Sequence, residues 1–383
     1  MKKKITDRKI VVINQASNYL TIGFTNAFYA RFEDVTLITG SIRTQEEALN
    51  PNVKVQYINQ WYERPARKKA LSYAQALLRM WWLLFFKYRK HEVFFVSVPP
   101  MGYLLNLFLP HRFSMVIWDV YPDVFKITGM KESHFVYRVW SRLNKRSFKK
   151  AFRLFTISER MADLLEKYVE REKIRIQPIW AIFQANGKVA KQENPFALEH
   201  GIQDKFVVQY SGNIGLTHNV EVLVEVAEQC KEHTDILFQI IGRGPRKPVL
   251  ERLVKEKQLP NCTFLPFQSN EMFPYSLSAA DLGVVILDEQ TSKGSVPSKS
   301  YNLMSYGIPS LYIASADSQL NIYAETYAHG GCFSKEDMQS IVTFIVDLKN
   351  DRAAYRQMTE NALRAAQDFR RANADKLIEM YLS

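Results

Sequence analysis

Apolar runs of strand length recur along the whole chain, separated by polar or amphipathic stretches that are long enough for helices. Six of these runs lie in the first half and five in the second. Strands that alternate with helical connections predict parallel α/β sheets, so we expect two doubly wound domains. The expected strands are Lys9–Ile13, Val35–Thr39, Val53–Ile58, Val93–Val96, Ser114–Trp118, Arg153–Ser158, Phe206–Tyr210, Ile236–Ile241, Thr263–Phe267, Asp281–Leu287 and Ser310–Ala314.

A polar span, Gln184–Asn194, separates the two sets of strands and is typical of a linker. We therefore predict an N-terminal domain of residues 1–185 and a C-terminal domain of residues 186–365. A C-terminal helix within residues 366–383 is expected to pack back towards the first domain. Among the connections we expect a loop over Asn14–Gly23, a helix over Phe135–Arg153 and one long helix over Ala362–Leu382.

The segment between the last two predicted strands has both a helix start and a helix stop. Ser298 and Lys299 open it, and Gly307 and Pro309 close it. In a parallel α/β sheet such a helix starts at the carboxyl edge, where these folds bind ligands. Free backbone N–H groups, the Ser298 hydroxyl and the Lys299 ammonium would form a phosphate site there. An ordinary capped helix with a solvated lysine explains the pattern equally well.

Two glycine turns follow strands of the second half. Gly212 lies in the turn after Phe206–Tyr210, and Gly242 lies in the turn after Ile236–Ile241. Glycine lets the backbone approach a ligand closely. One Gly-x-Gly is weak evidence, but two turns and the Ser298 helix at one sheet edge favour an anion site that includes Arg243 and Lys299.

The composition limits the remaining possibilities. A chain of 383 residues, 47% hydrophobic and 23% charged, is too long for one core and suits two domains. Its three cysteines form no CxxC pair, which fits a reducing compartment and argues against zinc, so we expect no metal. The start lacks the continuous apolar core of a signal peptide, and Ala74–Phe86 falls short of the ~20 apolar residues that cross a bilayer.

Charge is distributed unevenly. Residues 1–188 contain 32 Lys and Arg against 15 Asp and Glu, a net charge of +17, so the total of +12 leaves −5 for residues 189–383. A basic first half predicts an anionic partner, either a membrane surface or a nucleic acid. The basic residues are interleaved with Trp and Leu and no nucleic-acid motif is present, so we favour the membrane.

Two helices of the first half carry this basic character. Leu71–Phe86 contains Arg79, Trp81 and Trp82 and has basic flanks, which is typical of a helix lying in a lipid interface. Burial between a sheet and its neighbours is the commoner role of such a helix. Arg138 and Arg142 belong to a basic stripe on the next predicted helix, and stripes of this kind are usually only solvated.

Asp119 directly follows the predicted strand Ser114–Trp118 and therefore lies at the carboxyl edge of the first sheet. A carboxylate at this edge is placed to orient or deprotonate a substrate hydroxyl. Asp123, nearby in the sequence, is explained at least as well as a cap of the next segment.

The motifs also occur in the order found in family 4 glycosyltransferases, which the chain resembles over nearly its whole length. They are Tyr210–Gly215, Ile241–Pro245, Phe264–Phe267, Ala279–Gly283, Pro297–Lys299 and Met304–Pro309, with Pro99–Pro100 and Asp119–Pro122 in the first half. These enzymes are retaining, use nucleotide sugars and have the GT-B fold, in which two Rossmann-like domains face a central cleft. The most similar subgroup consists of bacterial capsule, O-antigen and colanic-acid sugar transferases.

The resemblance implies a hexosyl or N-acetylhexosaminyl transfer to a polyprenyl-diphosphate-linked saccharide at the cytoplasmic face of the cell membrane. It places the turns at Gly212 and Gly242, with Asn213 and Arg243, against the donor diphosphate. Phe267 would lie by the base, Ser298 and Lys299 by phosphate, and Asn302 near the ribose. No cofactor is implied beyond the nucleotide-sugar co-substrate.

The chain departs from the family pattern at several positions. Gly294 and Asn302 occupy the places of two glutamates, and Asn213 and His218 those of an arginine and a lysine. Arg243, Lys299 and Lys293 are the cations that remain for a diphosphate. A catalytically silent sugar-nucleotide or lipid-binding module of the same fold is therefore the alternative to an enzyme.

Overall fold

The structure is a computed structural model that describes residues 6–62, 66–185, 187–215, 219–289, 292 and 294–383. Its contacts divide the chain into two compact units. Unit 1 extends to Ile182 and resumes at Arg371, and unit 2 is Phe183–Arg370. The boundaries drawn from the sequence, after residues 185 and 365, lie close to these two crossings.

Unit 1 is built on a seven-stranded sheet in which all neighbouring strands are parallel. Its strands are β1 Thr6–Ile13, β3 Phe32–Thr39, β5 Lys54–Tyr57, β6 Glu92–Val96, β7 Phe113–Ile117, β8 Leu154–Thr156 and β9 Ile174–Ile176, while β2 Ala16–Ser17 and β4 Ser41–Ile42 pair separately. The order β5-β3-β1-β6-β7-β8-β9 extends from β1 in both directions, as in a doubly wound sheet. All six predicted strands are confirmed, and β9 is an addition.

The helices of this part are α1 Tyr19–Tyr29, α2 Ala66–Trp82, α3 Phe135–Lys150 and α4 Glu159–Leu165. The loop predicted to reach Gly23 is wrong, because the Asn18 side chain accepts hydrogen bonds from two backbone N–H groups and starts α1 at once. Helix α3 stops before Arg153, since buried Ala151 is extended and leads into β8. Arg153 is therefore not part of the helical basic stripe.

Unit 2 has a six-stranded parallel sheet in the order β12-β11-β10-β13-β14-β15, formed by β10 Phe206–Asn213, β11 Ile236–Arg243, β12 Cys262–Leu265, β13 Leu282–Ile286, β14 Ser310–Ile313 and β15 Gly330–Phe333. Its five predicted strands are confirmed. Residues of β10 and β11 are buried on both faces, as expected of central parallel strands. The helices are α5 Pro195–Glu199, α6 Glu221–Gln229, α7 Lys247–Glu256, α8 Phe273–Ser278, α9 Lys299–Ser305, α10 Gln319–Tyr327, α11 Met338–Asn350 and α12 Arg352–Ala365.

The span predicted as a linker is fastened to unit 2, although its Asn186 lies outside the described residues. Lys188 and Lys191 both form ion pairs with Asp281, which also accepts a hydrogen bond from the backbone of Val207. The segment is therefore part of the unit and not a free connection.

The long helix predicted for Ala362–Leu382 is wrong, because its two ends pack in different units. Helix α12 ends at Ala365, a 3₁₀ turn covers Ala366–Phe369, and α13 Ala372–Leu382 belongs to unit 1. Phe369 is buried against tyrosines of unit 2, whereas Tyr381 packs edge-on against Phe28.

Arg371 and Tyr381 hold α13 in unit 1. The Arg371 guanidinium forms an ion pair of 2.5 Å with Glu47 and donates a hydrogen bond to the carbonyl of Gly23. The Tyr381 hydroxyl donates to Glu92, the carboxylate that also pairs with Arg8 at 2.5 Å. The C-terminal helix thus completes the core of the first unit.

No helix within the described ranges is long and apolar enough to span a bilayer.

Replacing Tyr381 by alanine should lower the unfolding free energy of unit 1 by about 3–5 kcal/mol, because a fully buried ring leaves a cavity among Phe28, Phe32 and Phe94. All six tryptophans lie in unit 1, so denaturant titration followed by tryptophan fluorescence reports this unit alone. The matched control is Lys376→Ala, an exposed position on the same helix. A Tyr381→Ala protein as stable as this control would contradict the docking role of α13.

Candidate functional site

Strands β10 and β11 each have a glycine near their carboxyl ends, and these two glycines lie side by side. Their parallel register places Gly212 beside Gly242 and Asn213 beside Arg243. A Cβ atom on Gly242 would lie 1.9 Å from the carbonyl oxygen of Gly212, and both glycines have positive φ angles. Only glycine permits this approach, and the resulting sheet edge is bare backbone.

Lys299 reaches back over this edge from the start of α9. Its ammonium nitrogen lies 3.9 Å from the centroid of the Tyr210 ring. A Cβ atom on Gly212 would come within 2.4 Å of the Lys299 Cε and 2.5 Å of its Nζ, so the amine occupies the space that glycine leaves open. Desolvation lowers the pKa of Lys299 to about 7. An anion at this edge would favour the charged form and raise that pKa.

Arg243, Phe267 and Asn213 are the exposed members of the site. The Arg243 guanidinium carbon lies 5.7 Å from the centroid of the Phe267 ring, and 53% of Phe267 is accessible to solvent. In the part of the chain that the structure describes, Arg243 has no carboxylate partner, whereas nearby Arg246 is paired with Glu221. Arg243 is thus a cation with unused hydrogen-bonding capacity beside an open aromatic face.

Ser298 does not act as the capping residue that the sequence predicts. Its backbone is already helical, with φ −60° and ψ −15°, and its side chain makes no capping hydrogen bond to α9. A capping serine needs an extended backbone to direct its oxygen towards the free N–H groups. Since α9 has only seven residues, the anion site rests on the glycine turns and the two cations, not on a helix dipole.

Asn302 is buried, as is Gly242 among the predicted donor-binding residues. It is 6% exposed, on a helix whose residues from Ser300 to Ser305 are all buried. Gly294, at the other replaced glutamate position, is partly exposed. His218 and Lys293, the two further positions considered for a cation, lie outside the described residues.

Asp119 lies just beyond the carboxyl end of β7, as predicted, and its side chain reaches solvent. The protein around it nevertheless desolvates the carboxyl and raises its pKa above the usual value. Asp123 differs, because it is buried and accepts hydrogen bonds from the hydroxyls of Tyr137 and Tyr168. Lys126 and Lys167 each approach it within 3.2 Å, so Asp123 ties α3 and the segment that follows α4 to the turn and is not a simple cap.

The Trp-rich segment of unit 1 exposes one side and buries the other. Helix α2 continues as a π-helical turn, Leu83–Lys87, and its buried side is formed by Ala76, Met80, Leu83 and Leu84. The opposite side exposes four aromatic rings that mainly contact one another, which we call the aromatic surface: Trp81, Trp82, Phe85 and Phe86. Arg79 is exposed beside them, as are Arg138 and Arg142 on α3.

Two further residues contribute to the site: Tyr210, which the sequence did not single out, and Gly244, which belongs to the second predicted glycine turn. Tyr210 looked like one more apolar strand residue, although an aromatic two positions before Gly212 projects from the same face of the strand. Gly244 must also be glycine, because a Cβ atom there would lie 2.1 Å from the Ile214 carbonyl oxygen. The Gly-x-Gly spacing was the available signal for this second contact.

No three His, Cys, Asp or Glu side chains of the described residues converge as a set that could hold a metal ion.

Residues 192–365 match the family model described as glycosyl transferases group 1. Among curated proteins, the chain is 29% identical over 197 residues to a putative colanic acid biosynthesis glycosyl transferase, WcaI of Escherichia coli K12, covering 50% of this chain and 47% of the relative. It is 25% identical over 223 residues to the probable glycosyltransferase WbjE of Pseudomonas aeruginosa, covering 57% and 55%. The matched region spans about half the length of these relatives.

Solved structures match over almost the full length. Sucrose-phosphate synthase of Thermosynechococcus elongatus superposes with a TM-score of 0.76 at 15% identity, covering 98% of each chain. WaaG, a glycosyltransferase of lipopolysaccharide biosynthesis, gives 0.70 at 14% identity, covering 97% of this chain and 99% of its own. HepE of Anabaena, solved with UDP-glucose, gives 0.71 at 14% identity, covering 98% and 99%. These likenesses confirm the GT-B fold.

Proposed function

Because residues 192–365 form a group 1 glycosyl transferase domain, we propose that this protein is a retaining glycosyltransferase. It transfers a hexosyl or N-acetylhexosaminyl group from a nucleotide-diphosphate sugar to a polyprenyl-diphosphate-linked saccharide during bacterial surface polysaccharide synthesis. The observation that carries the proposal is the bare glycine edge of unit 2, over which Lys299 lies and beside which Arg243 forms no ion pair with any carboxylate of the described residues.

The donor diphosphate binds at this edge. Without Cβ atoms at Gly212 and Gly242, phosphate oxygens can approach the backbone. Lys299 and Arg243 supply positive charge, and the exposed Phe267 ring offers a flat face to the base. HepE, which shares the fold, was solved with UDP-glucose.

The same cations assist the reaction. The leaving nucleoside diphosphate gains negative charge as its bond to the sugar breaks, so cations held in a partly desolvated site stabilise the transition state more than the ground state. Lys299 and Arg243 fill this role without a metal. The leaving diphosphate accepts the proton of the acceptor hydroxyl, and Asp119 orients that hydroxyl.

The acceptor side is unit 1. Phe94 of β6 contacts α1 and α13 through Phe28 and Tyr381, whereas its neighbour Phe95 faces Tyr103, whose hydroxyl donates a hydrogen bond to Asn144 of α3. Helix α2 lies on the Phe95 face as well, since its Tyr73 hydroxyl donates to the carbonyl of Pro100. The aromatic surface and the basic side of α3 thus belong to one face of the sheet.

This face docks on the inner surface of the cell membrane. Trp82 is 52% and Phe86 55% exposed, and interfacial helices place such rings at the headgroup boundary. Arg138, Arg142 and Lys145 are exposed along α3 and line a groove with Lys167. They would attract anionic headgroups and the diphosphate of the lipid-linked acceptor.

A catalytically silent binding module is the second candidate, and the observation that favours it is the loss of both glutamates at Gly294 and Asn302. Donor binding without transfer in any acceptor panel would support this candidate.

Screening UDP-, GDP- and dTDP-linked sugars should identify one base class that raises the melting temperature, since a ligand at ~100 times its dissociation constant adds about 2.7 kcal/mol. Lys299→Met and Arg243→Ala should each weaken that donor about 10- to 100-fold, because each removes a charge-assisted contact. Arg252→Ala, which removes an exposed cation from α7, is the matched control. Equal affinities in all variants would contradict the donor site.

Asp119→Asn should lower turnover about 10²- to 10⁴-fold while leaving donor affinity unchanged, as expected of a group that acts on the acceptor hydroxyl. Single-turnover rates and donor titrations measure the two effects separately. Asp123→Asn is the comparison variant, and it should lower stability because Tyr137, Tyr168 and Lys167 lose a charged partner. Near-normal turnover of Asp119→Asn would remove Asp119 from the mechanism.

Replacing both Arg138 and Arg142 by glutamine should weaken binding to vesicles containing anionic lipid by roughly 30-fold at low salt, at about 1 kcal/mol per charge. Trp82→Ser with Phe86→Ser should weaken binding equally at low and high salt, because ring insertion does not depend on screening. Vesicle sedimentation measures both effects, and Lys376→Gln on the opposite face of unit 1 is the control. Vesicle binding unaffected by either pair would exclude this face as the docking surface.

A further inference from the structure

Tyr210 contacts both the lysine and the glycine turn of the donor site. It is fully buried on β10, two residues before Gly212. Its ring faces the Lys299 amine, with 3.9 Å between the nitrogen and the ring centroid. Its hydroxyl donates a hydrogen bond of 2.7 Å to the carbonyl oxygen of Asn213, at the end of the same strand.

The face of the Tyr210 ring offsets part of the free-energy cost of desolvating the Lys299 ammonium group. Burial disfavours the charged amine, and the negative face of an aromatic ring favours it, most strongly where water is excluded. An aliphatic side chain at residue 210 would leave the amine against hydrocarbon. Tyr210 therefore keeps more of Lys299 in the ammonium form than burial alone would allow.

The Tyr210 hydroxyl stabilises the glycine turn beside which Lys299 lies. The hydrogen bond to Asn213 fixes the chain immediately after Gly212, and the space above Gly212 holds the end of Lys299. A methyl group at Gly212 would therefore displace Lys299, and a loosened turn would let it shift. Ring, turn and amine form one assembly, which we call the Tyr210 stack: Tyr210, Gly212, Asn213 and Lys299.

We propose that Tyr210 is a positioning residue of the donor site, whose ring holds the Lys299 ammonium over the glycine edge and whose hydroxyl fixes the turn that the phosphates meet. The ligand rests on the proposed function, but the effect of Tyr210 on Lys299 exists in the ligand-free protein. The effect of Tyr210 on Lys299 and the identity of the ligand can therefore be tested, and contradicted, separately.

Donor affinity should decrease as the pH rises through the pKa of Lys299. Two further titratable groups belong to the strands of the glycine edge: the Tyr210 hydroxyl, whose pKa burial raises above its usual range, and Arg243 at the end of β11. A nucleotide-diphosphate sugar does not titrate near neutrality, so donor affinity should be constant below the pKa of Lys299 and fall about tenfold per pH unit above it, because only the ammonium pairs with phosphate. Affinity should level off again above the raised pKa of the bound state.

The test begins without a donor, by NMR titration of ¹³C-methylated lysines, with the Lys299 signal assigned from its loss in Lys299→Met. Tyr210→Leu should lower the pKa of Lys299 by about one unit, whereas Tyr210→Phe keeps the ring and should leave it unchanged. Gly212→Ala should raise it, because the displaced amine reaches solvent. An unchanged Lys299 titration in Tyr210→Leu would overturn the proposal, and Tyr210→Met, which removes the ring but keeps an unbranched apolar side chain, keeps the test valid if Tyr210→Leu does not fold.

Donor titrations with the sugar nucleotide found by the screen then follow. Tyr210→Leu should shift the fall in affinity to lower pH, and Tyr210→Phe should weaken the donor only about threefold at every pH, through the loss of one neutral hydrogen bond. A merely structural role would lower stability without moving the pH profile, and that result would overturn the proposal. If the lysine titrations shift as expected but no nucleotide sugar binds, the positioning role is supported and the donor assignment is wrong.

Discussion

The contact between Gly212 and Gly242 is the constraint on which the proposed donor site depends. The two strands can end this close together because Gly242 lacks a Cβ atom, which would lie 1.9 Å from the carbonyl oxygen of Gly212. The end of Lys299 fills the space that Gly212 leaves open. The site therefore combines backbone without side chains and a partly desolvated ammonium group. Backbone and amine are held in place without a ligand, and a preorganised arrangement of this kind needs little reorganisation when charge develops.

The two faces of the parallel sheet in unit 1 are covered in different ways. Its Phe94 face is closed by α1 and α13, and this side is rich in edge-on aromatic contacts. Its Phe95 face carries α2 and α3, which leave rings and arginines in solvent. One face thus provides stability, and the other leaves apolar rings in solvent, a feature that marks interaction sites in folded proteins.

Most of the strands and the glycine edge could be predicted from the sequence, because buried parallel strands appear as continuous apolar runs and parallel strands end at one edge. Ser298 was misjudged because capping depends on its backbone angles, which the residue type does not determine. The break between Ala365 and Ala372 was missed because helical periodicity does not record which core a segment joins. Tyr210 was missed because burial and function give the same pattern at a strand residue.

The division of unit 1 into two separated pieces of chain has a consequence for how the protein is made. Residues 183–370 must all be synthesised after the first piece and before α13, which at synthesis rates of roughly 5–20 residues per second takes about 10–40 s. During that interval the groove formed by Phe28, Phe32 and Phe94 has no Tyr381 to fill it. The nascent first piece therefore presents an incomplete aromatic core on the ribosome, a surface of the kind that chaperones bind, until its own last helix arrives.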